Sequence, residues 1–242
     1  MATRLVDLSM PVHHDMITFP RIVRPALVMY ESWEEFAERI GAAKYGGGAE
    51  SLTASYMVVL SDHVGTHIDS LKHIRKGAEG PEGIPIELCY SDGVVLDFRH
   101  KEKGAGISAK EIQDALRKID YKVKPRDIVL IHTGAGAIQD SEKYLTDQCG
   151  MTAEATIWLI EQGVQVMGID AITFDPPVWA MFERKQFWEA HRVMNTHDYW
   201  HLENLTNLDK IGRSHGFKLS CFPVKWTGTT AAPVRAVAIV EE

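Results

Sequence analysis

Cysteine is scarce in this chain, and its three copies, Cys89, Cys149 and Cys221, lie far apart with no C-x-x-C among them. That spacing excludes a disulfide framework and a thiolate zinc site. Long apolar runs are missing too. No stretch approaches the ~18 apolar residues of a membrane span, and the opening MATRLVDLSMPVHHDM lacks the apolar core of a signal peptide. A cytoplasmic protein without a membrane partner is expected. Positive charge is in deficit: 26 Lys and Arg against 33 Asp and Glu give a net −7, with no basic run to neutralise a phosphate backbone. Nucleic acid is therefore excluded as a partner. Neither a G-x-x-x-x-G-K-[ST] phosphate loop nor a G-x-S-x-G nucleophile elbow occurs, so kinase-like and serine-hydrolase readings lack their central parts. The glycine-rich segment 104–109 follows the charged stretch 99–103 and has no acidic strand end about twenty residues on, which argues against a dinucleotide loop.

No internal repeat, low-complexity tract or linker divides the chain, and 45% hydrophobic residues over 242 positions supply a sizeable core. One domain across 1–242 is expected. Apolar runs rich in β-branched residues at 56–60, 93–98, 127–132, 164–169 and 232–240 read as strands. Helix-like stretches fall at 32–40, 108–119, 152–162 and roughly 185–194. Ser108 with Glu111, and Thr152 with Glu154, place a hydroxyl and an early acid where a helix start needs them. The alternation predicts an α/β protein with a central mixed sheet or barrel-like core and flanking helices.

The richest chemistry lies at 62–73, DHVGTHIDSLKH, which gathers three of the eleven histidines around a carboxylate. Imidazole and carboxylate suit zinc, manganese or iron, and a hydrolytic metal needs about three protein ligands plus an open position. Gly65 can bend the chain enough to aim His63 and His67 at one point, while His67 and Asp69, two apart, share a face when extended. A divalent cation so held would lower the pKa of water from 15.7 toward about 7 and polarise a carbonyl.

The string H-x-G-T-H-x-D-x-x-x-H resembles the signature of the cyclase-type metal-dependent hydrolases, which include bacterial kynurenine formamidase, isatin hydrolase and some lactone-opening enzymes. Leu71 stands where that signature has proline. The likeness continues through DIVLIHTG at 127–134, Gly168-Ile169-Asp170 with Asp175-Pro176, His191-Arg192 followed by LENLTNL at 202–208, and the C-terminal Cys221-Phe222-Pro223 and Pro233-Val234-Arg235. It spans roughly residues 5–240 and is weakest over 20–50.

The resemblance implies a swivelling β/β/α-type fold, homo-oligomers (dimer or tetramer), and two Zn2+ per chain, with Mn2+ the other candidate. It implies one metal on His63, His67 and Asp69, a second on His191 and Glu203 with Asp69 and Glu203 bridging, and His73 as catalytic acid/base. Isatin hydrolase-like members carry an amide where Glu203 stands and use a single manganese, so a carboxylate there favours two metals. The expected activity is hydrolysis of a non-peptide amide, N-formylkynurenine to kynurenine and formate. The alternative is ring opening of a cyclic amide or lactone, of isatin or dienelactone type. A non-catalytic metal-binding relative would have no need of His73 beside a metal.

The small-molecule substrate is expected to be aromatic or cyclic. Phe19, in a segment that the resemblance makes substrate-facing, is the substrate-binding candidate, although the tryptophan typical of formamidases is absent there. Trp179, Phe182, Phe187 and Trp188 could line the pocket with it, but each reads more readily as core. His197 and His201 flank Glu203 as spare ligands or as groups that orient it. His13, His14, His100, His132 and His215 read as ordinary surface or core residues.

Overall fold

The expected alternation of strands and helices is realised in the computed structural model, which describes residues 2–242. The strands are Thr3–Asp7 (β1), Ala26–Glu31 (β2), Ser55–Val59 (β3), His67–Asp69 (β4), Tyr90–Asp97 (β5), Gly106–Ile107 (β6) and Ile128–His132 (β7). Gly150–Met151 (β8), Val166–Ile169 (β9), Trp200–Glu203 (β10), Phe217–Ser220 (β11), Ala231–Pro233 (β12) and Val237–Glu241 (β13) follow. The α-helices are Trp33–Ile40 (α1), Ala109–Lys118 (α2), Ala153–Glu161 (α3) and Val178–Arg184 (α4). No helix among the described residues is long and apolar enough to cross a membrane.

Nine strands form one mixed sheet in the order β1-β13-β11-β5-β7-β9-β10-β4-β12. Its centre, β5-β7-β9-β10, is parallel, and antiparallel pairs extend it on both sides. Central parallel strands are covered on both faces, which is why they read as unbroken apolar runs rather than alternating ones. Val94, Val129 and Met167 pack with Ile112 and Leu116 of α2 and with Leu159 of α3. Val95, Ile128, Leu130 and Leu202 belong to a second cluster with Val6, Leu8, Ile68 and Val240. The sheet curls so that Ser9, just past the edge strand β1, bridges Leu205, just past β10. Both expected helix caps form, Ser108 and Glu111 as a reciprocal box and Thr152 by accepting from the Ala155 amide.

Two expectations are corrected. The 232–240 run is two strands: β12 pairs with β4, and β13 with β1 and β11 at the far end of the sheet. Pro233 has no N–H to donate to a ladder, and the chain crosses over after it. The 185–194 helix does not form. Pro176-Pro177 starts α4 earlier instead, and Lys185 (φ 55°) and Trp188 (φ 47°) adopt left-handed conformations that an α-helix cannot continue through. The expected 56–60 strand forms as β3 and lies outside the main sheet. It pairs with β2 alone, and every one of its residues is exposed.

The segment 104–109 likewise has a packing role. A Cβ on Gly104 (φ 75°) would stand 2.4 Å from the Trp179 ring, and Ser108 caps α2, so no phosphate cradle is formed.

Candidate metal centre

Four of the site residues occupy two adjacent antiparallel strands. β4 and β10 pair with Glu203 opposite His67; this register sets His201 opposite Asp69. Because side chains alternate along a strand, all four project from one face of the sheet. His63 reaches the same point from the preceding turn, which Gly65 makes possible with φ 67°. His191 arrives on the short turn of 3-10 helix His191–Asn195.

The donor atoms converge as two groups that share both carboxylates. Asp69 Oδ1 lies 3.0 Å from His63 Nδ1 and 3.3 Å from His67 Nε2, and Glu203 Oε2 is 3.5 Å from the same His67 nitrogen. The other oxygens turn to a second pair. Asp69 Oδ2 lies 3.4 Å from His191 Nε2 and 3.3 Å from His201 Nε2, and Glu203 Oε1 is 3.3 Å and 3.5 Å from those nitrogens. Ligands about 2.0–2.1 Å from a tetrahedral zinc stand roughly 3.3–3.4 Å from one another, which is the spacing found here.

The tautomers are set by contacts on the far side of each ring. His67 Nδ1 donates to the Gly65 carbonyl at 2.9 Å, leaving Nε2 a free lone pair. His191 Nδ1 donates to Asp175 Oδ2 at 2.5 Å, while Asp175 also accepts the amides of Ala190 and His191. Thr230 gives its hydroxyl proton to Asp62 and accepts from His63 Nε2 at 2.9 Å, so His63 Nδ1 faces the centre. Carboxylates and carbonyls behind the imidazoles are the usual means of orienting metal ligands.

The polar atoms left over fit a cation. Both oxygens of Asp69 and both ring nitrogens of His201 are buried without a hydrogen-bond partner among the described residues. Buried polar atoms cost several kcal/mol when left bare, so a group that satisfies them is expected at this point. The donor set, imidazole and carboxylate oxygen, suits a divalent cation. Burial alone would push the Asp69 carboxyl up, yet the surrounding His73, His63, His191 and His201 hold it well below the usual carboxylate range. Glu203 is likewise lowered by His191 and His201 against the effect of its burial. Burial works to lower His191, but Asp175, Asp69 and Glu203 raise it well above the ordinary imidazole value, and Asp69 raises His63 against the same effect.

A cavity of about 460 Å³ opens above this cluster. His63, His73, His191 and Glu203 line it, while His67, Asp69 and His201 lie buried. His73 Nε2 is 3.7 Å from Asp69 Oδ2, its ring centroid is 4.3 Å from that of His63, and burial lowers its pKa to about 4. Phe19, Ile74, Ile172 and Trp188 form apolar walls.

All seven residues singled out from the sequence therefore meet at one place. His201 joins them as a fourth imidazole of the bridged cluster, whereas His197 stays out of it and contacts Thr196. The signal for His201 was present: His201-x-Glu203 repeats the two-residue spacing of His67-x-Asp69. Of the four downstream aromatics only Trp188 lines the main cavity. Trp179 borders an adjoining apolar one, and Phe182 and Phe187 are exposed rather than core.

Comparison with known proteins places the chain in a family and finds solved structures of the same fold. The family model described as "Putative cyclase" matches residues 6–176. The kynurenine formamidase of Bacillus cereus is 24% identical over 234 residues, covering 96% of this chain and 95% of its own. That of Bordetella petrii is 28% identical over 179 residues, 74% of this chain and 77% of its own. The crystal structure of an isatin hydrolase bound to the product analogue thioisatinate superposes with a TM-score of 0.83 at 18% identity, over 99% of this chain and 93% of that one, a likeness of fold.

Proposed function

The chain belongs to the cyclase family, and on that premise we propose that it is a metal-dependent hydrolase of a non-peptide amide, with N-formylkynurenine, cleaved to kynurenine and formate, as the substrate that fits best. The observation that carries the reading is the pair of buried carboxylates: Asp69 turns one oxygen to His63 and His67 and the other to His191 and His201, and Glu203 turns one to His67 and the other to His191 and His201. Similarity to relatives named kynurenine formamidase, together with an aromatic-walled cavity, supports the substrate.

His63, His67, Asp69 and Glu203 would hold one cation, and His191, His201, Asp69 and Glu203 a second, with Zn2+ the first choice for this donor set and Mn2+ the second. When bound, the cations supply an acidified water and polarise the carbonyl under attack. Asp175, Gly65 and Thr230 keep the imidazoles in the binding tautomer. His73 is neutral near pH 7 because burial depresses its pKa to about 4. It is thus placed to take the proton of the attacking water and deliver it to the nitrogen that leaves as the C–N bond breaks. Phe19 and Trp188 would hold the aromatic ring against the apolar wall.

We also propose a cytoplasmic homo-oligomer. The ribbon of β2 and β3 presents Tyr30 (75% exposed), Tyr56 (57%) and Val58 (53%) to solvent. An isolated two-stranded ribbon is marginal alone, and apolar surface of this kind marks an interface. Light scattering is expected to give a dimer or tetramer rather than a monomer mass.

The test of the activity is product analysis with N-formylkynurenine, isatin and a dienelactone, with and without chelator. Chelator-sensitive formate release from the first supports the reading, and turnover confined to the other two replaces it with ring opening.

A further inference from the structure

Arg21 follows Phe19 and Pro20 on the rim of the cavity above the metal centre, and its backbone sits at φ 70°, a region that residues other than glycine seldom enter. Such strain persists only where the surroundings enforce it, and it gathers at ligand-binding positions. The side chain is exposed and forms no hydrogen bond or ion pair with any described residue. Among the described residues it is also the only Lys or Arg on the cavity wall, whose apolar part includes Phe19, Ile22, Ile74, Ile172 and Trp188. An unpaired guanidinium beside an aromatic-walled slot is suited to one kind of partner, a planar anion it can bind through two parallel N–H donors.

A second observation points to a ligand in the same space. Thr173 lines this cavity at 2% exposure, and its hydroxyl has no hydrogen-bond partner among the described residues. Its neighbour Phe174 donates its amide to Glu203 Oε1 at 2.7 Å, which ties this stretch of the cavity wall to the metal-facing carboxylate. The cavity wall therefore carries a buried, unpartnered hydroxyl and an exposed guanidinium along with its apolar side chains.

From this arrangement we infer that Arg21 is a specificity-determining residue that binds a carboxylate carried on the side chain of an aromatic substrate, the Thr173 hydroxyl meeting a polar group nearer the scissile bond. The inference rests on the hydrolase reading for the identity of the scissile bond. It does not rest on that reading for the preference between an acid and its neutral ester.

The experiment is calorimetric binding of an ortho-aminophenyl ketone bearing a side-chain carboxylate, and of its methyl ester, to the metal-loaded full-length protein. Wild type, Arg21→Gly and Arg21→Lys are compared. Glycine accepts φ 70° without strain, so Arg21→Gly removes the charge while keeping the backbone, and an unfolding temperature at or above wild type verifies this. The acid is expected to bind wild type roughly 10- to 100-fold more tightly than the ester, the range of a charge-assisted hydrogen bond. That ratio is expected to collapse toward about one in Arg21→Gly and to be partly kept in Arg21→Lys. Equal binding of acid and ester by wild type, or a preference that survives in Arg21→Gly, overturns the inference. Acid preference without formamide hydrolysis would sink the formamidase reading and leave Arg21 in place, and formamide hydrolysis without acid preference would do the reverse.

Discussion

Asp69 and His201 face each other across the antiparallel pair of β4 and β10, the carboxylate Oδ2 lying 3.3 Å from the imidazole Nε2 with both residues fully buried. The pairing is built into the register, so the same alternation that puts His67 beside Asp69 puts His201 beside Glu203.

His201→Ala is the first consequence. With neither ring nitrogen partnered among the described residues, the imidazole has no hydrogen-bonding role to lose. The variant is expected to hold about one zinc per chain where the two-cation reading expects two in wild type, with formamide turnover lowered by at least roughly tenfold. Elemental analysis of both proteins checks it; unchanged metal content would make His201 a packing residue.

His73 should behave in the opposite way. It lines the cavity, and its Nε2 is 3.7 Å from the carboxylate, farther out than the donors of the buried cluster. His73→Ala is expected to keep metal content near wild type and to lower kcat by about 10²–10⁴. Loss of metal together with activity would make it a ligand instead.

Asp175 acts through His191. Its carboxylate accepts from the ring Nδ1 and from two backbone amides, so Asp175→Asn removes the charge while leaving the shape. Zinc affinity, measured by competition with a chromogenic chelator, is expected to fall about 10- to 100-fold, and saturating zinc should restore part of the activity.

Much of the site was legible because its ligands come in short local patterns. His63, Gly65, His67 and Asp69 fall within seven positions, and the two-residue spacing on an extended segment already gives a shared face. His201 was harder to place, since what sets it opposite Asp69 is the pairing of strands more than a hundred residues apart in sequence. β4 itself is only three residues long and has no apolar run to announce it. The central strands were legible for the opposite reason: burial on both faces leaves continuous apolar runs such as Ile128–His132. The strand at 56–60 was legible from its β-branched composition, which does not tell an exposed ribbon from a core strand. The stretch after Pro177 misled because left-handed Lys185 and Trp188 carry no glycine to mark the break.

Metal loading should depend on pH with a definite sign. The facing carboxylates raise His63 and His191 above the ordinary imidazole value in the metal-free chain, so below those raised values the rings hold protons that compete with metal. Zinc added to metal-free protein in weak buffer is expected to release protons, and its apparent affinity should weaken as pH falls. A pH-independent affinity across pH 6–8 would contradict this.

The bridged centre itself is tested most directly by titrating chelator-stripped protein with zinc while formate release from an aryl formamide is followed. Activity is expected to rise until two equivalents per chain are bound and then level off. A plateau at one equivalent, or full activity in the stripped protein, would contradict the two-cation centre shared by Asp69 and Glu203.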